Sequence, residues 1–309
     1  MRRLLPCLIA LLMLTACASE NAVPKDPPPS VTGNAPILRV WVVEANALVE
    51  MDAETYVAGV VAGEMAADWP MEALKAQALL ARTFVMKFIR AKESRYPGAD
   101  ISTDIAEAQA YDAEAINGRI LAAVQETRGE VLMTQDGQLP YTWFHAHSGG
   151  TTALARESLD WQQAEPGHTR VTEGLDSDAA PDSAKSWTAT FTEEEFLAAC
   201  RSAGYAVSGC GRVTIAETGP SGRAVTLSVD GTLVNAARLR ISLGSTKMRS
   251  TLLTELTVED GLIRMSGRGY GHGVGMPQWG AFALAEDGLT GEDIALHYYS
   301  DLQIVRVWE

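Results

Sequence analysis

Glycine occupies every second position of the segment 267–275, and this run restricts the possible folds more than any other stretch of the 309 residues. Because glycine has no Cβ atom, alternate glycines let the backbone approach a ligand closely and adopt positive φ angles. The pattern predicts a glycine-rich loop that opens into a helix over 277–287, which ends at Gly288. His272 lies in the loop and Gln278 at the start of the helix.

Glycine spacings of this kind also occur in dinucleotide-binding loops. That interpretation needs a strand–helix–strand unit around the loop, and a phosphate loop needs a following Lys-Ser or Lys-Thr pair; the sequence has neither. Two alternatives remain for His272 and Gln278. Either both line a binding site, or His272 bonds the loop backbone and Gln278 caps the helix.

The order of the predicted elements favours an α+β fold. Helix and strand patterns are interspersed, and Asp136-Gly137 predicts a hairpin turn between two strands. The predicted strands cover 37–43, 129–134, 139–147, 211–217, 223–229, 254–266 and 303–308. The first predicted helix begins at Asp52, and the others cover 70–92, 116–127, 192–203, 277–287 and 291–299.

Glu64 lies on the apolar face of the helix that begins at Asp52, a good N-cap residue. On a helical wheel, Tyr56 and Val60 lie on one side of it and Val57 and Val61 on the other. A buried carboxyl loses hydration, which raises its pKa towards the range in which it donates a proton at neutral pH. The alternative is that Glu64, at the helix end, turns into solvent or pairs with Lys75.

The second predicted helix carries Gln77 and Arg82 on opposite sides of its apolar stripe. Arg82 is placed to reach Glu64 or a substrate oxygen. Its alternative role is that of a surface arginine whose aliphatic part lies along the protein.

The predicted strand 139–147 places His145 and His147 on the same face, because side chains alternate along a strand. Two such histidines are suited to bind a metal or a substrate. Ser148 follows at a Ser-Gly-Gly turn, where its hydroxyl is expected to bond sugar or backbone.

The N-terminus predicts export. A positively charged start and an apolar run over 4–13 are typical of a secretory signal peptide, and the run is too short to span a bilayer. The ending Leu-Thr-Ala-Cys17 resembles a bacterial lipobox, so we expect a signal peptide over 1–16 and a lipid anchor on Cys17. In Gram-negative lipoproteins an aspartate after the lipid-bearing cysteine keeps the protein in the inner membrane. Ala18 at this position therefore favours the periplasmic face of the outer membrane. The alternative is an ordinary signal peptide with a chance cysteine.

Composition limits the partners. Residues 17–36 are Pro-rich and predict an extended tether, followed by one folded domain over 37–309.

The chain has a formal net charge of −14, so it lacks the basic surface that is typical of nucleic-acid-binding proteins. Cys200 and Cys210 are expected to form a disulfide in an oxidising compartment. Because no zinc-type cysteine cluster is present, no cofactor is expected.

Several segments together resemble the SpoIID family, which comprises sporulation-type lytic transglycosylases and the related LytB amidase enhancer proteins. The resemblance spans about residues 38–307. It is carried by YVAGVVAGEM at 56–65, WPMEALKAQA at 69–78, ART at 81–83, QAY at 109–111, FHAHSGGTT at 144–152, GRGYGHGVGMPQWGA at 267–281 and LHYY at 296–299.

The resemblance implies a single α+β domain whose mixed or antiparallel sheet and packed helices form a cleft. Glu64 matches the family's proposed catalytic acid and Arg82 a family active-site arginine. His272 and Gln278 would line the cleft with Glu64. Some relatives hold zinc near the Ser-Gly-Gly turn using cysteines, and this chain has none in that segment, so a metal is not expected.

The implied function is a lytic transglycosylase that cleaves the MurNAc–GlcNAc bonds of denuded peptidoglycan strands and leaves 1,6-anhydro ends. Glu64 would be the single acid and base, and a cell-wall amidase the upstream partner. The expected glycan contacts come from Gln77, Arg82, His145, Ser148, His272 and Gln278. The alternative is a non-catalytic glycan-binding protein that enhances an amidase; a purely structural envelope lipoprotein is a third possibility.

Overall fold

The computed structural model describes residues 34–309. The predicted signal peptide, Cys17 and most of the predicted tether lie outside these residues. In chain order the elements are β1 Ile37–Val42, β2 Ala47–Asp52, α1 Ala53–Glu64, α2 Met71–Ala91, β3 Ile101–Ser102, α3 Gly118–Glu126, β4 Glu130–Thr134, β5 Phe144–His145, α4 Ala155–Ser158, α5 Asp182–Lys185, β6 Ser186–Thr192, α6 Glu193–Ser202, β7 Val213–Thr218, β8 Ala224–Val229, β9 Thr232–Asn235, α7 Ala236–Leu243, β10 Leu253–Glu259, β11 Leu262–Arg268, β12 Met276–Pro277, α8 Gln278–Glu286, α9 Gly291–His297 and β13 Leu302–Arg306. The predicted α+β class is confirmed.

The described residues group into two compact units. Unit 1 contains residues 34–143 together with Ala281–Glu309, and unit 2 is Phe144–Gly280. Unit 1 holds the sheets β2-β1-β3 and β13-β4, and unit 2 holds β10-β11-β6, β7-β8-β9 and β12-β5. The pairs β1–β3 and β5–β12 are parallel and the others antiparallel. The domain bounds 37–309 stay a prediction.

Local sequence signals explain the two helices that carry Glu64 and Arg82. The Asp52 side chain accepts a hydrogen bond from the backbone N–H of Thr55 at 3.1 Å, which caps α1. Helix α2 begins directly after Pro70, which is the residue before the first helical turn rather than part of it, and ends at Ala91. Both predicted helices are therefore confirmed to within about one residue.

The predicted hairpin at Asp136-Gly137 is wrong. The turn forms, with the Gly137 N–H donating to the Thr134 carbonyl and the Thr134 N–H to the Gln138 carbonyl, both at 2.9 Å. No strand of the described chain continues directly beyond it, and the strand partner of β4 is β13. After the turn, Thr142 donates its hydroxyl to the Leu80 carbonyl of α2 at 2.8 Å. Packing against the helix replaces the expected strand, of which only β5 remains.

The predicted strand 254–266 is two strands. β10 and β11 form an antiparallel pair around Asp260 and Gly261, both of which have positive φ, the conformation of a tight two-residue hairpin turn. β6, which the sequence patterns did not predict, pairs with the other edge of β11. The Asp-Gly pair was the available signal for this turn.

The predicted disulfide is absent from the structure, where Cys200 and Cys210 are free thiols. Both lie in the hydrophobic cluster of unit 2, beside Phe196 and Val213. Burial raises the pKa of Cys200 to about 11, and the neighbouring Cys210 adds to this effect. Burial also raises the pKa of Cys210, so the thiolate, which is the reactive form, is disfavoured at both positions.

No helix between residues 34 and 309 is long and apolar enough to cross a bilayer.

A buried ion pair joins the elements of unit 1. The Arg82 Nη2 atom lies 2.7 Å from Glu54 Oε2, and the side chains of Arg82 and Glu54 are 0% and 8% exposed. Arg82 also donates to the backbone carbonyls of Val124 and Glu130. Glu54 accepts further hydrogen bonds from the Trp308 indole at 2.8 Å and from the Gly129 backbone N–H at 3.0 Å. The pair thus connects α1, α2, α3, β4 and the C-terminus.

We expect Glu54→Gln to destabilise the protein by about 3–5 kcal/mol, because it leaves the Arg82 charge buried without a partner. Chemical unfolding of the purified protein measures this change.

Arg39→Gln is the matched control, since Arg39 and Asp100 also approach to 2.7 Å but their side chains are 51% and 29% exposed. Exposed pairs contribute little to stability. Equal unfolding midpoints for the two variants would contradict the role given to the buried pair.

Candidate functional site

Glu64 is the last residue of α1, and its carboxyl is buried. The residue is 7% exposed. Its Oε1 atom accepts a hydrogen bond from the backbone N–H of Ala110 at 2.8 Å. The burial predicted from the helical wheel agrees with the structure, and the peptide N–H fixes the orientation of the carboxyl.

Two glycines allow the Ala110 segment to reach Glu64. A Cβ atom at Gly63 would lie 2.7 Å from the Tyr111 backbone nitrogen and 2.8 Å from the Ala110 carbonyl carbon, and one at Gly59 would overlap the Tyr111 ring. The Gly59 carbonyl accepts a hydrogen bond from the backbone N–H of Asp112 at 2.9 Å. The Gly-x-x-x-Gly spacing of α1 therefore creates the contact that holds the carboxyl.

Tyr56 and the Ala110 backbone lie close to Glu64. Burial raises the pKa of Tyr56, and the nearby Tyr111, Glu107 and Glu64 add to this effect. The alternative in which Glu64 pairs with Lys75 finds no support, because that lysine forms ion pairs with Glu72 at 2.8 Å and Glu126 at 2.5 Å.

Arg82 and Gln77, both predicted to act in the site, are fully buried in unit 1. The Arg82 guanidinium is occupied by Glu54 and by backbone carbonyls, so its place is structural. Sequence reasoning did not single out Gln109, which precedes the Ala110 N–H donor. Gln109 is buried, and within residues 34–309 neither its Oε1 nor its Nε2 atom has a hydrogen-bond partner. A buried amide in this state is a marked exception among proteins.

In unit 2 the structure brings His145 and His272 together, with ring centroids 5.5 Å apart. The Nδ1 atom of His145 lies 3.2 Å from the Val274 carbonyl, which only accepts, so this nitrogen carries the proton. The Nδ1 atom of His272 accepts from the Val274 N–H at 3.0 Å, so its proton is on Nε2. One backbone residue thus fixes opposite tautomers, leaving an acceptor at His145 Nε2 and a donor at His272 Nε2.

Both imidazoles are neutral at pH 7. Burial, together with the charges of Arg240 and Arg223, lowers the pKa of His272 to about 3. Burial also lowers the pKa of His145 well below its usual value, and His272 and Arg223 add to the shift. The Phe144 backbone opposes these effects and raises the pKa of His272. Within residues 34–309, however, no group lies within hydrogen-bond geometry of the His272 Nε2 atom.

Ser148 is held by internal contacts. Its hydroxyl donates to Asp176 and accepts from the Gly150 N–H at 2.9 Å, and its carbonyl accepts from Arg223 at 2.6 Å. His147 lies 3.4 Å from Asp176 and its Nδ1 accepts a backbone N–H. Asp176, which organises this turn, lies in a polar loop whose sequence carried no signal for it.

The alternating glycines approach the protein's own chain. A Cβ atom at Gly271 would lie 2.6 Å from the His145 Cβ, and one at Gly273 would lie 2.4 Å from the Arg223 guanidinium carbon. Gln278, buried, begins α8. In the described part of the chain, no group of three or more His, Cys, Asp or Glu side chains is arranged to hold a metal ion.

We expect Gly63→Ala to destabilise the protein by about 1–3 kcal/mol, since the added methyl group forces the Ala110 segment away from α1. Thermal unfolding measures the effect. Gly118→Ala is the control: it also lies in a helix, and a Cβ atom there meets nothing within 4 Å. If both variants unfold at the same temperature, the close contact does not hold this segment.

Comparison with known proteins gives a consistent result. A family model described as SpoIID, Stage II sporulation protein, matches residues 43–133. The chain is 31% identical over 264 residues to Stage II sporulation protein D of Bacillus subtilis (strain 168), covering 81% of this chain and 74% of that protein. It is 33% identical over 260 residues to an uncharacterized protein of Brachyspira hyodysenteriae, covering 83% and 67% of the two chains.

The chain is also similar to the Amidase enhancer of Bacillus subtilis (strain 168), with 27% identity over 285 residues, 78% of this chain and 39% of that longer protein. The SpoIID model matches the segment that contains Glu64, and the similarity to Stage II sporulation protein D extends over 81% of this chain. This chain belongs to the SpoIID family.

Proposed function

We propose that the protein is a peptidoglycan lytic transglycosylase in which Glu64 is the single catalytic acid and base. The observation that carries this proposal is a buried carboxyl at the end of α1, oriented by the Ala110 N–H at 2.8 Å. Membership of the SpoIID family and the names of its relatives support a role at the cell wall.

The chemistry needs a carboxyl that changes charge during the reaction. Protonated Glu64 donates its proton to the glycosidic oxygen between MurNAc and GlcNAc, and the bond from this oxygen to C1 of MurNAc breaks. The carboxylate then removes the proton from the C6 hydroxyl of the same MurNAc. That hydroxyl attacks C1 and gives a 1,6-anhydro end without water. In the proposed reaction the Ala110 N–H, which donates to the carboxyl at 2.8 Å, holds it in one orientation and stabilises the carboxylate that remains after the proton is donated.

The other predicted site residues take supporting roles. Arg82 is a positioning residue, because it fixes α1 through Glu54 and thereby the helix that ends in Glu64. His145, His272 and Gln278 are proposed to contact the glycan from unit 2, and Gln77 and Ser148 to maintain the local structure. An amidase that strips stem peptides is the proposed upstream partner.

We further propose that a lipid on Cys17 anchors the protein at the periplasmic face of the outer membrane, and that the Pro-rich segment lets the folded part reach the wall. Both features lie outside the described residues.

The second candidate is a glycan-binding protein that enhances an amidase. The similarity to a protein named Amidase enhancer favours it. A binding protein needs the same polar groups but no proton transfer, so product analysis separates the two candidates.

We expect Glu64→Gln to reduce the release of 1,6-anhydro ends from denuded glycan strands by at least about a hundredfold, the usual contribution of a general acid and base. Mass spectrometry of the digest measures the products.

Glu50→Gln, a change at an exposed position of β2, is the control and should cut at the wild-type rate. Glycan pull-down should be the same for all three proteins. Absence of product from the wild type, with binding retained, would exclude the enzyme and favour the enhancer.

A further inference from the structure

Arg240, in α7, is a buried cation that forms no ion pair with any carboxylate among residues 34–309. Its Nε atom donates to the Arg249 carbonyl at 3.0 Å. The charged or titratable groups that act on it are Tyr270 and Arg223. Burial lowers the pKa of Arg240 to about 10, so the group is still a cation at neutral pH. A buried charge without a counter-charge is costly unless a ligand supplies one.

The end of the Arg240 side chain is the part that a ligand can reach. The residue is 5% exposed. Its two terminal nitrogens donate to no group in residues 34–309, yet they are not among the fully enclosed polar atoms without a partner, so they account for this exposure. In Arg223, by contrast, both terminal nitrogens are bonded to the protein. The free fork of Arg240 matches the geometry of a carboxylate.

A second, independent observation lies beside it. His145 and His272 are 1% and 5% exposed, and their Nε2 atoms have no hydrogen-bond partner among the described residues. The Arg240 charge acts directly on His272. Both Nε2 atoms are fully enclosed, so the two neutral histidines are polar surroundings for Arg240 that supply no counter-charge.

The local charge also favours an anion. The whole chain has a formal charge of −14, but Arg223 and Arg240 lie together and the Arg249 guanidinium stacks 5.0 Å from the centre of the Tyr270 ring. The carboxylates that act on Arg223 are Glu157 and Asp176, which accept hydrogen bonds from Ser221 and Ser148. A cationic site in an acidic protein attracts negatively charged ligands selectively.

We propose that Arg240 binds an acidic sugar by pairing with the lactyl carboxylate of MurNAc in peptide-free strands. This inference rests on the glycan substrate of the proposed function. A stem peptide converts the lactyl carboxylate into an uncharged amide, so Arg240 supplies a chemical reason for selecting denuded strands.

The test measures binding of the purified protein to peptide-free MurNAc–GlcNAc oligosaccharides and to the same oligosaccharides with methyl-esterified lactyl groups. Glu64→Gln is included in every protein, so that the strands stay intact. We expect the acid to bind at least about ten times more tightly than the ester. Arg240→Gln should remove this preference and Arg240→Lys keep part of it. Arg264→Gln, an exposed arginine of β11, should leave it unchanged.

Equal binding of acid and ester by the parent protein overturns the inference, and this comparison needs no change at Arg240. A folded Arg240→Gln protein that keeps the preference also overturns it. Cleavage is assayed separately with Glu64 intact. A preference for the acid without anhydro products would support the Arg240 site and reject the enzyme, whereas products without a preference would do the reverse.

Discussion

The buried pair of Glu54 and Arg82 is the interaction on which the rest of unit 1 depends. Removing two charges from water costs free energy, which only well-placed hydrogen bonds offset. Here the carboxylate accepts from a guanidinium, an indole and a backbone N–H, and the guanidinium also bonds two backbone carbonyls. The pair fixes the first turn of α1, and Glu64 lies at the other end of this 12-residue helix. Arg82 is therefore connected to Glu64 through the helix.

Local signals predicted most of the helices because their causes lie within a few residues. The Asp52 and Thr192 side chains cap α1 and α6 by accepting backbone N–H groups three residues later. Strand pairing could not be predicted in the same way. β4 finds its partner in β13, near the C-terminus, and a turn signal after β4 says nothing about a competing strand so distant in sequence. The hairpin prediction failed for this reason.

The candidate site shows the same division. The burial of Glu64 was predictable, because the helical period alone sets which face it shares with Tyr56 and Val60. The role of Arg82 was not, since its partner Glu54 is 28 residues away and Trp308 bonds that partner across 254 residues. The glycine-rich loop was recognised from its spacing, but the spacing did not show which parts of the chain lie against it. Its glycines at 271 and 273 make room for His145 and Arg223, a neighbour that only the folded chain reveals.

The histidines of unit 2 bear on which residue can transfer a proton. A general acid must hold its proton at the working pH and release it during the reaction. The pKa of His272 is about 3 and that of His145 is also far below neutral, so neither is protonated at pH 7 and neither is basic enough to hold a proton that it receives. Their fixed tautomers suit them to hydrogen bonding with an uncharged group or an anion. The proposed cleavage assigns the proton to Glu64, the buried carboxyl that the family signature contains.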